Sequence, residues 1–169
     1  MRIATAAAAV GALAATCWPA AAAQTSCKTW KAAVSLAAQT DAFELIRGAR
    51  MAPKMYLSKL HFAGFTHCLV GVTDGALLTC FLMLPNKSAG QAAYASAVAD
   101  MQTCLAGWTP LELAKQSGGP ERLAGRRLTK TFEGAKLQAL IILQGPVKKG
   151  SPNHVVSLAV GAMPQTPVS

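Results

Sequence analysis

Apolar positions along the chain follow two periods. Between residues 28 and 50 an Ala-rich stretch places Trp30, Val34, Ala37, Leu45 and Ile46 at helical intervals, which predicts one helix or two in succession. Thr40-Asp41 followed by Glu44 marks the restart, with Asp41 as N-cap and Glu44 in the reciprocal capping position. From 61 to 72 and from 76 to 85 the period becomes two. Phe62, Cys68, Val70, Val72, Leu78, Cys80, Leu82 and Leu84 then share one face of a hairpin, and Phe65, His67, Leu69, Phe81 and Met83 share the other. Since both faces carry apolar residues, this hairpin is expected to be central in its sheet or covered on both sides.

Ser88 and Gln91 form a capping box, and Tyr94, Val98, Met101 and Leu105 follow at steps of four, three and four. That spacing predicts a helix over 89–106, ended by Gly107. Period two returns over 122–132, 136–144 and 154–163, with turn signals at Glu133-Gly134 and at 147–153. The resulting order, α-β-β-α-β-β-β, predicts an α+β two-layer domain: a mainly antiparallel sheet of about five strands with helices packed on one face. No internal repeat is legible. Residues 24–163 read as one domain and 164–169 as a short C-terminal tail.

Composition changes the picture at the N-terminus. Of 169 residues 52% are apolar and 14% charged, which excludes an intrinsically disordered chain. The apolar excess is concentrated at the start, where Arg2 precedes an Ala-rich stretch and a run of alanines ends at Ala23. A basic start, a short apolar core and small residues before the cut are the pattern of a secretory signal peptide, so residues 1–23 are expected to be a leader cleaved before Gln24. A retained membrane anchor is disfavoured because alanine is too weakly apolar to make a good span. Lipid attachment at Cys17 is disfavoured as well, since Ala14 and Thr16 stand where a lipoprotein signal wants a Leu-like residue and a small residue. The expected location is periplasmic or secreted.

Beyond the leader remain Cys27, Cys68, Cys80 and Cys104, an even set that in an exported chain predicts two disulfides. With Thr73-Asp74-Gly75 as the hairpin loop, Val72 faces Ala76 and Cys68 faces Cys80, within bridging distance across an antiparallel pair. By elimination Cys27 pairs with Cys104. A thiolate metal site is disfavoured, because no Cys-x2-Cys or Cys-x4-Cys spacing occurs. No cofactor is implied by any motif.

Lys and Arg number 16 against 7 Asp and Glu, a net charge of +9, or +8 without Arg2. The cations cluster: Arg122, Arg126, Arg127, Lys130, Lys136, Lys148 and Lys149 are seven of the fifteen that follow the leader. Arg122, Arg126 and Lys130 share a strand parity and are expected to form a cationic row, suited to an acidic protein or an anionic envelope component. The bland alternative is a solvated face or a charge-protected edge. Nucleic acid is disfavoured, since no aromatics interleave the cations for base stacking.

Chemistry is thinly signalled. His67 and His154 with Lys130 or Lys136 could make a ribonuclease-like pair if their strands were adjacent. Met51, Met55, His61 and His67 could make a soft copper site, though Met at helical spacing more often fills a core. Neither a nucleophile elbow nor a zinc-protease helix nor a phosphate loop is present. The sequence therefore favours a non-enzymatic binding protein using a basic sheet face, with a small secreted hydrolase as the alternative.

Overall fold

The computed structural model describes residues 20–73, 75–116, 121–132, 134–146 and 152–163. Among these residues two helices, α1 (Ala20–Ala37) and α2 (Lys87–Cys104), accompany eight strands: β1 (Arg47–Ala52), β2 (Met55–Ser58), β3 (His67–Thr73), β4 (Gly75–Leu84), β5 (Thr109–Glu112), β6 (Arg122–Phe132), β7 (Ala135–Gln144) and β8 (His154–Ala162). All pair antiparallel in one sheet of order β1-β2-β3-β4-β8-β7-β6-β5. The expected five-stranded sheet is corrected by this arrangement. The order is α-β-β-β-β-α-β-β-β-β, and the extra strands are β1, β2 and β5. All three lie toward the margins of the sheet.

β1 and β5 were missed for local reasons. The first helix stops at Ala37, well short of residue 50, and Asp41 caps no helix; Glu44–Ile46 make a single 3-10 turn. Phe43 precedes that turn in the left-handed region at φ 65, and its ring is fully buried. A bulky residue pays about 1–3 kcal/mol for such a backbone, which burial of a phenyl ring offsets. β1 follows with irregular register and no buried residue, and β5 is four exposed residues including Pro110. Bulges, shortness and proline suit edge strands, which must not recruit another chain, and they erase the alternation by which strands are read.

The interior hairpin keeps its expected register. Val72 faces Ala76, Cys68 faces Cys80, and Gly75 takes φ 131 at the turn, a conformation that disfavours any side chain. Both disulfides form as expected: Cys68–Cys80 joins β3 to β4 with Cα atoms 4.0 Å apart, and Cys27–Cys104 joins α1 to the end of α2 at 4.7 Å. β6, β7 and β8 lie where period two places them. The second helix begins two residues earlier than the Ser88 box implies, because the Asn86 side chain accepts from the Ala89 N–H at 2.9 Å.

Both helices pack on one face of the sheet. α1 buries Trp30, Ala33 and Ala37, and Trp30 meets Phe62 edge-on at 4.7 Å. α2 buries Met101, and its Gly90 comes so near β7 and β8 that a Cβ there would lie 3.0 Å from Leu143 and 3.2 Å from His154. The sheet supplies Cys68, Val70, Leu78, Cys80, Leu137, Ala139, Ile141, Leu143, Val156, Leu158 and Val160 to the same core.

The strand order is a palindrome. Each half of the chain is a helix followed by a four-strand meander, α1 with β1 to β4 and α2 with β5 to β8, and the two meanders join where β4 pairs β8. The chain is thus a duplicated α-β4 topology, where the sequence shows no repeat. Residues 1–19 of the expected leader and the tail 164–169 lie outside the described residues; Ala20–Ala23 are the first turn of α1.

Candidate binding surface

Opposite the helices, no described element covers the sheet. The alternation that sends Leu78, Cys80, Leu158, Ile141 and their neighbours into the core sends the intervening residues outward, and pairing aligns them in rows. One row runs from β2 to β5: Leu57, Leu69, Thr79, Ala159, Leu140, Arg127, Leu111. Beside it run His67, Phe81, Ser157, Ile142 and Gly125. On the other flank stand Met55, Gly71, Leu77, Gly161, Gln138, Thr129 and Thr109. Leu111 is 53% exposed, Met55 41% and Leu57 37%, while Leu69, Leu77, Phe81, Leu140 and Ile142 are half-buried by their neighbours alone. Apolar side chains on this face therefore alternate with Gly, Thr, Ser, Gln and His along the rows.

The cations of β6 do not stay together. A register shift between Arg122 and Ala124 puts Arg122 opposite Gln144, whereas Arg126 stands opposite Ile141 and Lys130 opposite Leu137. Arg126 and Lys130 therefore share the helix side of the sheet, where Arg126 forms an ion pair with Glu112 across β5 and β6. Arg122, Arg127 and Lys136 belong to the open face. Arg122 Nε donates to the Ala114 carbonyl at 2.8 Å, and Arg127 Nε is buried with no hydrogen-bond partner. Lys148 and Lys149 lie outside the described residues. One strand parity cannot hold across a bulge, which is why the expected row of Arg122, Arg126 and Lys130 splits over two faces. Among the described residues of the open face no carboxylate side chain appears; the strand positions there are apolar, polar-neutral or basic.

The histidine and methionine constellations come apart. His67 lies on the open face opposite Phe81, while His154 points toward α2 and its Nδ1 lies 2.9 Å from the Pro152 carbonyl oxygen. Two strand spacings and three residues of rise put the two backbones about 14 Å apart, on opposite faces. Met55 pairs with Gly71, four residues along β3 from His67, which is about 13 Å. Among the described residues no three His, Cys, Asp or Glu side chains gather as metal ligands. No described helix is long and apolar enough to cross a membrane.

A cleft on the helix side escaped the sequence reading. It has a volume of about 290 Å³ and is lined by Lys87, Gln91 and Tyr94 of α2, Lys115 beyond β5, and Leu123, Ala124 and Leu143 of the sheet. The signal for it, Lys87, Gln91 and Tyr94 at helical steps of four and three, reads in sequence as an ordinary solvated helix face. Burial pushes the Tyr94 hydroxyl pKa above its usual value, the nearby Glu112 carboxylate adds to that, and Arg126 opposes it.

Comparison with protein-family models, with curated proteins and with solved structures gives no match to this chain.

Proposed function

We propose that this chain is an exported, non-enzymatic binding protein that takes an acidic protein partner across the open face of its sheet. The observation that carries the reading is that face: it mixes apolar and neutral positions, carries Arg122, Arg127 and Lys136 on β6 and β7, and has no carboxylate among its described residues. An acidic amphipathic segment would cover the apolar positions and set carboxylates against Arg122, Arg127 and Lys136. A second copy in the same pose would set these cations against themselves. A planar anionic bilayer fits less well, because adjacent strands rotate by roughly 20–25° and an eight-stranded sheet is saddle-shaped. Export is supported by two disulfides that need an oxidising compartment and by the leader-like composition of residues 1–23.

The test begins with the oxidised protein incubated in native envelope extract, recovery of what binds, and affinity measurement with the purified partner. A partner with an acidic segment should bind at least tenfold more weakly to Arg127→Glu/Lys136→Glu and weaken as salt rises. Equal affinity for that variant overturns the reading. So does wild-type protein that binds phosphatidylglycerol vesicles and no protein, which assigns the face to a lipid surface.

A further inference from the structure

The helix-side cleft is separate from the open face and carries its own chemistry. We propose that it binds a small organic carboxylate with an apolar body. Its cationic rim comes from two rigid elements. Lys87 is the first residue of α2, held by the Asn86 cap. Lys115 lies in a segment stitched to β6 on both sides, through the Leu113 N–H to the Gly125 carbonyl at 2.8 Å and reciprocal backbone bonds between Gln116 and Arg122. Among the described residues neither lysine has a carboxylate within salt-bridge distance. Glu112, whose charge reaches Tyr94, is already engaged by Arg126.

Between the lysines the walls change character. Leu123, Ala124 and Leu143 line the sheet side with apolar residues, while Tyr94 and Gln91 line the helix side. Two lysines and three apolar residues lining one cleft match a ligand that is anionic at one end only. Inorganic phosphate, polar on every side, would leave the apolar residues unmet, and a neutral amphiphile would leave the lysines unmet. A volume of about 290 Å³ lies at the small end of ligand clefts, which run from roughly 300 Å³ upward, and suits a medium-chain or single-ring carboxylate.

The experiment titrates the intact oxidised protein with octanoate, octanol and inorganic phosphate by calorimetry, and follows Gln91 and Tyr94 resonances by NMR. Octanoate should bind and shift both residues, octanol should bind at least tenfold more weakly, and phosphate should not compete. Lys87→Gln/Lys115→Gln, two exposed substitutions whose fold is checked by circular dichroism, should weaken octanoate at least tenfold. Arg127→Glu/Lys136→Glu on the open face should leave it unchanged, which separates this proposal from the protein-binding reading. No octanoate binding, equal binding by the double lysine variant, phosphate as strong a ligand as octanoate, or octanoate shifts confined to open-face residues would each overturn it.

Discussion

Trp30 is 1% exposed and anchors α1 to the loop before β3 through its edge contact with Phe62. Trp30→Ala removes the largest side chain of the core, and chemical denaturation should show a loss of about 3–5 kcal/mol. Leu111, 53% exposed on the open face, should behave differently: Leu111→Ser is expected to stay within about 0.5 kcal/mol of wild type in the same assay. The contrast separates residues that hold the fold from residues available to a partner. Tyr94 gives a pH signature at the same scale. Its raised pKa means the folded state keeps the proton longer than the unfolded chain. The stability it contributes is therefore full below the ordinary tyrosine range and lost as pH rises through its folded value. Ultraviolet titration of the two tyrosines should show Tyr94 ionising above that range, and Tyr94→Phe should remove the late step.

At the level of elements, α2 depends on a cap that the sequence pattern misplaced by two residues. Ser88 and Gln91 satisfy the capping-box spacing, yet Asn86 makes the bond, since Pro85 ends β4 and the chain turns into helix directly after it. Asn86→Ala should cost about 0.5–2 kcal/mol and Asn86→Ser much less, measured by thermal unfolding. The strands divide by position in the sheet. β4, β7 and β8 are central, one of their faces packs into the core, and their alternation was plain in the sequence. β1, β2 and β5 lie at or near the edges, where few residues are buried and neither period survives. The bulge between Arg122 and Ala124 belongs here as well. It moved Arg122 to the open face and left Arg126 and Lys130 beside the helices, a split no strand parity could announce.

Across the whole molecule, two covalent ties act over very different spans. Cys68–Cys80 closes a separation of 12 residues inside one hairpin, and Cys27–Cys104 closes 77 and joins the two helix-meander halves. Loop-closure entropy puts these at about 2.8 and about 4.5 kcal/mol, so Cys27→Ser/Cys104→Ser should destabilise the fold more than Cys68→Ser/Cys80→Ser in denaturation experiments. The duplicated topology leaves two helices to cover one face of eight strands, and the other face remains open among the described residues. If like charge keeps copies apart there, sedimentation should find a monomer at micromolar concentration; a stable dimer lost on Leu140→Asp would reassign the open face to self-association.

The sequence by itself determined the segments whose burial is local and periodic: α2, the three long strands after it, and the hairpin from β3 to β4 with its cysteine register. It also fixed the second disulfide, because two cysteines remained once the first pair was assigned. Only the tertiary structure decided the edge strands, the palindromic strand order, the open face and the cleft between α2 and β6. The reason is physical. Periodicity reports which side of a segment is buried within a few residues, whereas strand order, bulges and uncovered faces depend on what lies across the fold, tens of residues away along the chain.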